Sequence, residues 1–430
     1  MPHLFAFKAL PHAALLAIAS LASPCQAQTP SPWGYQDIGL LGGGFVGPVP
    51  ASATGVRIGQ AFAAQGGTGS FVYSGSSVGS LDGLGGTGAN VFHVNPAGQV
   101  AGQTSTGGPA STRAFLFSGG RSSDLGTLGG GSSHVTGLNA SGQVVGYSDT
   151  AGNAGTHAFL YSGGSMRNLG TLGGSYSSAA GINNAGQVVG SAYTSGNASN
   201  HAFLYSAGSM RDLGTLGGST SFASAINESG VVIGDSYLSG NALSHAFTYA
   251  NGRMTDIGTL GGSKSTAVAL NRAGQVIGNS YTTGNTATRG FMYSGGTLTD
   301  LGTLGGTNSF VLGINSYGQI IGTSDIAGDT ARHSFLYANG KMIDLSALFP
   351  GITNFVATGI NDAMQVIGAA VTKSGLTRGL IVTPVPEPDG GLLALAGLAA
   401  LGVMARLRRG RPQGPGRAFT AASTGAQPQT

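Results

Sequence analysis

Four histidines, His157, His201, His245 and His333, fall on one 44-residue step, and Arg113 and Arg289 occupy the same step where histidine is absent. A second series is acidic: Asp37, Asp82, Asp124, Asp212, Asp256, Asp300 and Asp344, with Asn168 in the remaining copy, each just ahead of a Gly-rich turn. A histidine and a carboxylate are the usual parts of general acid–base catalysis, but catalysis needs one constellation with distinct roles. Here the same residue types return at the same phase of copy after copy, with Arg for His and Asn for Asp as exchanges. The pattern implies that each histidine does the same structural work in its own unit, such as bonding a neighbouring loop. Each aspartate is expected to bond the backbone amides of the turn that follows it. The GTLGG runs imitate phosphate-binding loops in composition only, because no Lys-Ser/Thr follows and no helix is signalled after them.

The acids outside that position are Asp149, Glu228, Asp235, Asp325, Asp329 and Asp362. Asp325 and Asp329 share the loop SDIAGDT, where i, i+4 spacing and nearby carbonyls offer a weak Ca²⁺ ligand set. A solvated loop is the reading adopted. No acid–base pair, metal or cofactor is assigned. The single cysteine, Cys25, leaves no disulfide and no thiolate metal site.

The formal charge of +4 invites a nucleic-acid reading until it is located. Lys8 and the arginines Arg406, Arg408, Arg409, Arg411 and Arg417 are six of the 19 basic residues, and Glu387 and Asp389 are two of the 15 acids. Residues 28–383 therefore hold 13 of each sign and no basic stripe, so no nucleic-acid partner is expected.

The elements that must carry these residues follow from the repeat. HAFLYSGGSMRNLGTLGG from His157, HAFLYSAGSMRDLGTLGG from His201 and HAFTYANGRMTDIGTLGG from His245 are copies of one unit, and the acidic position counts eight units. Each carries four short strand signals; in the copy beginning at Ser175 these are SSAAGIN, QVVGSAY, HAFLYS and SMRDLG. The N-x-x-G spacing at Asn183/Gly186, repeated at Asn95/Gly98, Asn139/Gly142, Asn227/Gly230, Asn271/Gly274 and Asn315/Gly318, marks a first hairpin. Met364 stands where the last copy needs glycine, so that turn is expected to be strained or differently built. Gly119-Gly120, Gly163-Gly164 and Asn339-Gly340 mark a second hairpin.

Four strands in about 44 residues is the size of a propeller blade. The fold class expected is therefore all-β, a β-propeller of about eight four-stranded blades over residues 35–382, closed by the N-terminal strand, with a signal helix before it and a transmembrane helix after it. A β-solenoid, another linear array, or seven blades with an irregular first unit are the alternatives. Glycine, 79 of 430 residues, argues against a long helical protein, and its lack of a three-residue period excludes collagen.

The ends carry sorting labels. Residues 1–27 read as a secretory signal, with Lys8, an apolar run and a small-residue cleavage site at Ala27. Residues 28–34 are a linker. After the repeat come a second linker over 383–389, an uncharged run over 390–405 and a basic, polar tail over 406–430. That run makes about 24 Å of helix against a bilayer core of about 30 Å, with arginines able to snorkel at its end. Val385, Pro386, Glu387 and Pro388, the apolar run, and then Arg406, Arg408 and Arg409 resemble the PEP-CTERM sorting signal. The resemblance implies recognition at the inner membrane by an exosortase-type peptidase, and a membrane-anchored precursor passed on to the cell surface or extracellular matrix. The helix is shorter and the tail longer than that family's pattern. An ordinary C-terminal anchor is the alternative.

The 44-residue unit resembles the bacterial extracellular repeat family named HAF, which His157, His201 and His245 with their Ala-Phe match outright and Arg113, Arg289 and His333 match as variants. That family brings an architecture and no activity. The expected function is an exported, non-enzymatic propeller acting in binding or matrix structure, with exopolysaccharide or other surface glycans as partners. The alternative is an extracellular polysaccharide hydrolase or lyase with its site in the channel.

Overall fold

A computed structural model describes residues 33–39, 45–49, 57–63, 67–74, 77–80, 87–105 and 112–384. The expected signal (1–27), the Val385–Pro388 motif, Arg406, Arg408, Arg409 and the run over 390–405 lie outside these residues. Among those described, no helix is long and apolar enough to cross a membrane.

The unit is clearest in the copy beginning at Gly173. Its first strand, Gly173–Ile182, pairs antiparallel with the second, Val188–Thr194, which pairs with the third, Asn200–Ser206, and that with the fourth, Ser209–Asp212. The first strand is four residues longer at its start than the motif SSAAGIN suggested, because GGSY continues into it through a register shift. In the first hairpin the Gly186 amide bonds the Asn183 carbonyl at 3.0 Å, and the Gln187 amide bonds Asn183 Oδ1 at 3.0 Å. Gly163 and Gly164 both take positive φ in the two-residue second hairpin of the preceding unit, the conformation that a type I′ turn requires. The turn at Met364 is built like its glycine counterparts: the Met364 amide bonds the Asn361 carbonyl at 3.1 Å, with φ held at +57°. The expected strain is thus carried within an unchanged turn.

Among the described residues 32 strands form eight such groups of four, and the fold is all-β. Single parallel residue pairs, Thr156 with Tyr176 and Ser244 with Lys264, join two pairs of groups. The core lies between the groups. Val145, Ala158 and Leu169 of one unit pack on Ala179, Val188, Ala192 and Phe203 of the next, and the same layer recurs one unit later with Val189, Leu213, Val232 and Phe247. This face-to-face stacking of small twisted sheets is blade packing of the β-propeller kind. It explains why AFLY and VVG are apolar on both sides. Phe203 is fully buried, and truncating a phenylalanine in such a layer costs about 3–5 kcal/mol.

Polar residues inside the layers are paired across units. Ser221 is fully buried, accepts from the Ala202 amide at 2.9 Å and donates to the Gly214 carbonyl at 2.6 Å. The side-chain amides of Asn95, Asn139, Asn183, Asn227, Asn271 and Asn315 each donate to the backbone carbonyl of the next unit's equivalent asparagine, at 3.0–3.1 Å. The first strand, Trp33–Gly39, starts two residues ahead of the expected Tyr35. It pairs antiparallel with the last, Thr377–Pro384, placing Tyr35 opposite Val382. The strand Phe45–Val49 lies beside the group formed by Ile352–Ile360, Val366–Thr372 and Thr377–Pro384.

Candidate functional site

The repeated histidine and aspartate meet each other. The histidine is the second residue of the third strand and the aspartate lies at the end of the fourth, so the two-residue hairpin between them sets the side chains at one edge. His201 Nδ1 lies 2.8 Å from Asp212 Oδ2, His245 Nδ1 2.9 Å from Asp256 Oδ2, and His333 Nδ1 2.7 Å from Asp344 Oδ2. His157 faces Asn168 at 3.2 Å. Arginine makes the longer contacts Arg113–Asp124, at 4.0 Å, and Arg289–Asp300, at 3.8 Å. Arg378 reaches Asp37 of the first strand at 2.7 Å. The other carboxylate oxygen accepts the amide of the following turn, as Asp212 does from Gly214 at 2.7 Å and Asp300 from Gly302 at 2.8 Å. The two positions, distinct in the sequence pattern, meet because their constant 11-residue separation spans a tight hairpin.

The unrepeated acids are each held by a neighbour. Glu228 accepts from the backbone and side-chain amides of Asn184, and Asp362 from the amide and hydroxyl of Ser316. Asp149 accepts from Thr156. The two carboxylates of SDIAGDT turn to different partners: Asp325 pairs with Arg332 at 2.8 Å, which holds it below the usual carboxylate range, while Asp329 accepts from the amide and hydroxyl of Thr307. Among the described residues no group of three or more His, Cys, Asp or Glu is placed to share a metal ion. Asp235 is the exception in environment. Burial pushes its carboxyl up to about 6, against the opposing Ala267 amide at 2.9 Å and the charge of Lys264.

Among the described residues, concavities stand where one unit meets the next, two of them on neighbouring strands. One, of about 540 Å³, is walled by Arg289, Asp300, Thr282, Thr286, Thr307 and Asp329. It thus includes the repeated basic and acidic positions. The other, of about 220 Å³, is walled by Lys264, Thr266, Asn279, Tyr281 and Thr288 of one unit and Phe310 of the next. Lys264, Tyr281 and Phe310 were not singled out from sequence. The available signal was Tyr193, Tyr237 and Tyr281 on the 44-residue step, each more than a third exposed.

No family model matches the chain, and no curated protein is similar to it. Solved structures with similar backbones include the β-propeller domain of the Trilobed protease from Pyrococcus furiosus, 9% identical, covering 71% of this chain and 98% of that one at a TM-score of 0.48. Dipeptidyl peptidase 4 of Porphyromonas gingivalis is 12% identical over 75% of this chain and 57% of its own, with a TM-score of 0.48. TolB from Acinetobacter baumannii is 12% identical over 64% and 61%, with a TM-score of 0.34.

Proposed function

We propose that this chain is an exported, non-enzymatic propeller of eight HAF-type blades that works by binding at the clefts between its blades. The observation that carries the reading is the pairing of the repeated His and Asp with each other. Groups that would serve as acid and base are spent on holding the hairpin to the turn that follows, and the His–Asp pair recurs in three units. The smaller inter-unit concavity, by contrast, presents polar and aromatic groups outside those pairs, Lys264, Asn279 and Tyr281 among them. Closure of eight blades is supported by the Trp33–Gly39 strand, which supplies the fourth strand that the last unit lacks.

In this reading residues 1–27 direct export. Val385, Pro386, Glu387 and Pro388, with the basic cluster Arg406, Arg408 and Arg409, form a PEP-CTERM signal recognised by an exosortase-type peptidase. The mature body then resides at the cell surface or in the exopolysaccharide matrix, where glycans are its partners. The test is mass spectrometry of the protein recovered from its host, joined to a glycan array probed with the same material. The expected result is a mature N-terminus near residue 28, a C-terminus near the Pro386–Pro388 motif, and retention on at least one glycan. An intact C-terminal tail removes the sorting proposal. New reducing or unsaturated ends on the polysaccharide would replace a binder with a hydrolase or lyase.

A further inference from the structure

The smaller cleft carries a cation on its first-strand wall. Lys264 lies on the first strand of its unit, and the equivalent residues of four other units are Ser132, Tyr176, Thr220 and Asn308. Among the described residues Lys264 forms no ion pair within 4 Å, and its charge lowers the carboxyl of Asp235 in the preceding unit. Asn279 occupies the position of Asp235, and Tyr281 that of Asp149 and Asp325, so the cleft wall contains no acid. Tyr281 is exposed at 38%, and Phe310, whose ring carries the Arg332 guanidinium 4.8 Å from its centroid, lines the same cleft. The hydroxyls of Thr266 and Thr288 add neutral hydrogen-bonding groups, and Asn279 adds two amide donors because its Oδ1 is already used by the Val311 amide at 2.9 Å.

These features select a ligand class. A volume of about 220 Å³ is below the range of about 300–1,000 Å³ typical of sites for drug-sized molecules, so the cleft fits one ring and not an extended compound. Aromatic walls take the C–H face of a ring, hydroxyl and amide groups take its hydroxyls, and one ammonium takes one carboxylate through a charge-assisted hydrogen bond. A phosphate group calls for several cations or a nest of backbone amides, and one lysine supplies neither.

We propose that the cleft between the unit beginning at Gly261 and the unit beginning at Gly305 binds one acidic sugar residue of a glycan, with its carboxylate on Lys264 and its ring against Tyr281. The inference rests on the binding function proposed above and adds the site and the sugar class. The test titrates the purified full-length protein with oligogalacturonate and, in parallel, with a neutral dextran oligomer. Lys264→Gln is expected to weaken oligogalacturonate binding about tenfold and to leave any dextran binding unchanged. Lys264→Arg retains the affinity. Tyr281→Ala loses it, Tyr281→Phe retains it and remains informative if the alanine variant fails to fold. Tyr237→Ala, at the equivalent position in the preceding cleft, changes nothing. Oligogalacturonate binding unaffected by Lys264→Gln and Tyr281→Ala would overturn this site and leave the glycan-binding reading standing. Competition by poly-glutamate as effective as that by the uronate would overturn the sugar class. Absence of binding to any glycan would overturn both.

Discussion

Asp235 and Asn279 occupy the same position of successive units and do the same work. Each accepts one backbone amide of the next unit's first strand, from Ala267 and Val311, both at 2.9 Å. They differ in what ionisation costs. Burial raises the Asp235 carboxyl to about 6, whereas the unfolded chain would titrate it near 3.8. The native protein therefore binds more protons than the unfolded chain between those values, and its stability falls as pH rises through that window and stays lower above it. The loss is on the order of 2–3 kcal/mol. Asp325 works in the opposite sense: Arg332 lowers it, so its contribution is present above the usual carboxylate range and is lost as pH falls below it. The two groups therefore tilt the pH dependence in opposite directions. Asp235→Asn is expected to match the parent near pH 4 and to exceed it above pH 6, as read by denaturant unfolding at each pH. Persistence of the pH 4–6 slope in the variant would assign it to other groups.

Glycine serves two distinct purposes within the unit, and substitution separates them. Gly274 ends the first hairpin with φ +80°, and a Cβ there would meet nothing within 4 Å. Gly278, four residues later in the second strand, has ordinary φ, but a Cβ would run into the Thr266 carbonyl oxygen and the ring of Phe291. Gly274→Ala is expected to cost about 1 kcal/mol, the price of a left-handed alanine. Gly278→Ala forces strands apart in a packed layer and is expected to cost about 3 kcal/mol or more. Thermal or denaturant melts of the two variants distinguish these outcomes, and equal losses would contradict the argument. The same contrast shows what could be read from sequence. Asn271 and Gly274 announced the hairpin because turn chemistry is local. Strand pairing followed from the recurrence of HAF and DLGTLGG, since four strand signals recur at a fixed step. The pairing of His201 with Asp212 and the charge of the Lys264 cleft were missed because each depends on side chains meeting across a hairpin or across two units, where neither residue type alone carries a signal.

At the scale of the molecule, the feature most open to test is the join between the first strand and the last unit. Trp33, the single tryptophan of the chain, is nearly buried and packs in one cluster with Leu345, Phe349, Phe355, Leu380 and Val382. Tyr35 meets Phe349 edge-on with ring centroids 4.9 Å apart, and Asp37 pairs with Arg378. Tryptophan emission, excited beyond the absorption of the 13 tyrosines, therefore reports on this join, while far-UV circular dichroism reports on all the sheets. A linear array of units frays from its ends, since each unit is stabilised only by its neighbours. A closed ring has no end to fray, and its unfolding is expected to be closer to one cooperative step. In a denaturant titration the red shift of Trp33 should thus coincide with the loss of β signal. Leu380→Ala, which opens a cavity in the cluster that holds Trp33, is expected to cost about 2–5 kcal/mol and to move both transitions together. A Trp33 shift that precedes the loss of sheet, in the parent or in Leu380→Ala, would mean that the strand is a detachable end and that the proposed closure of the propeller is wrong.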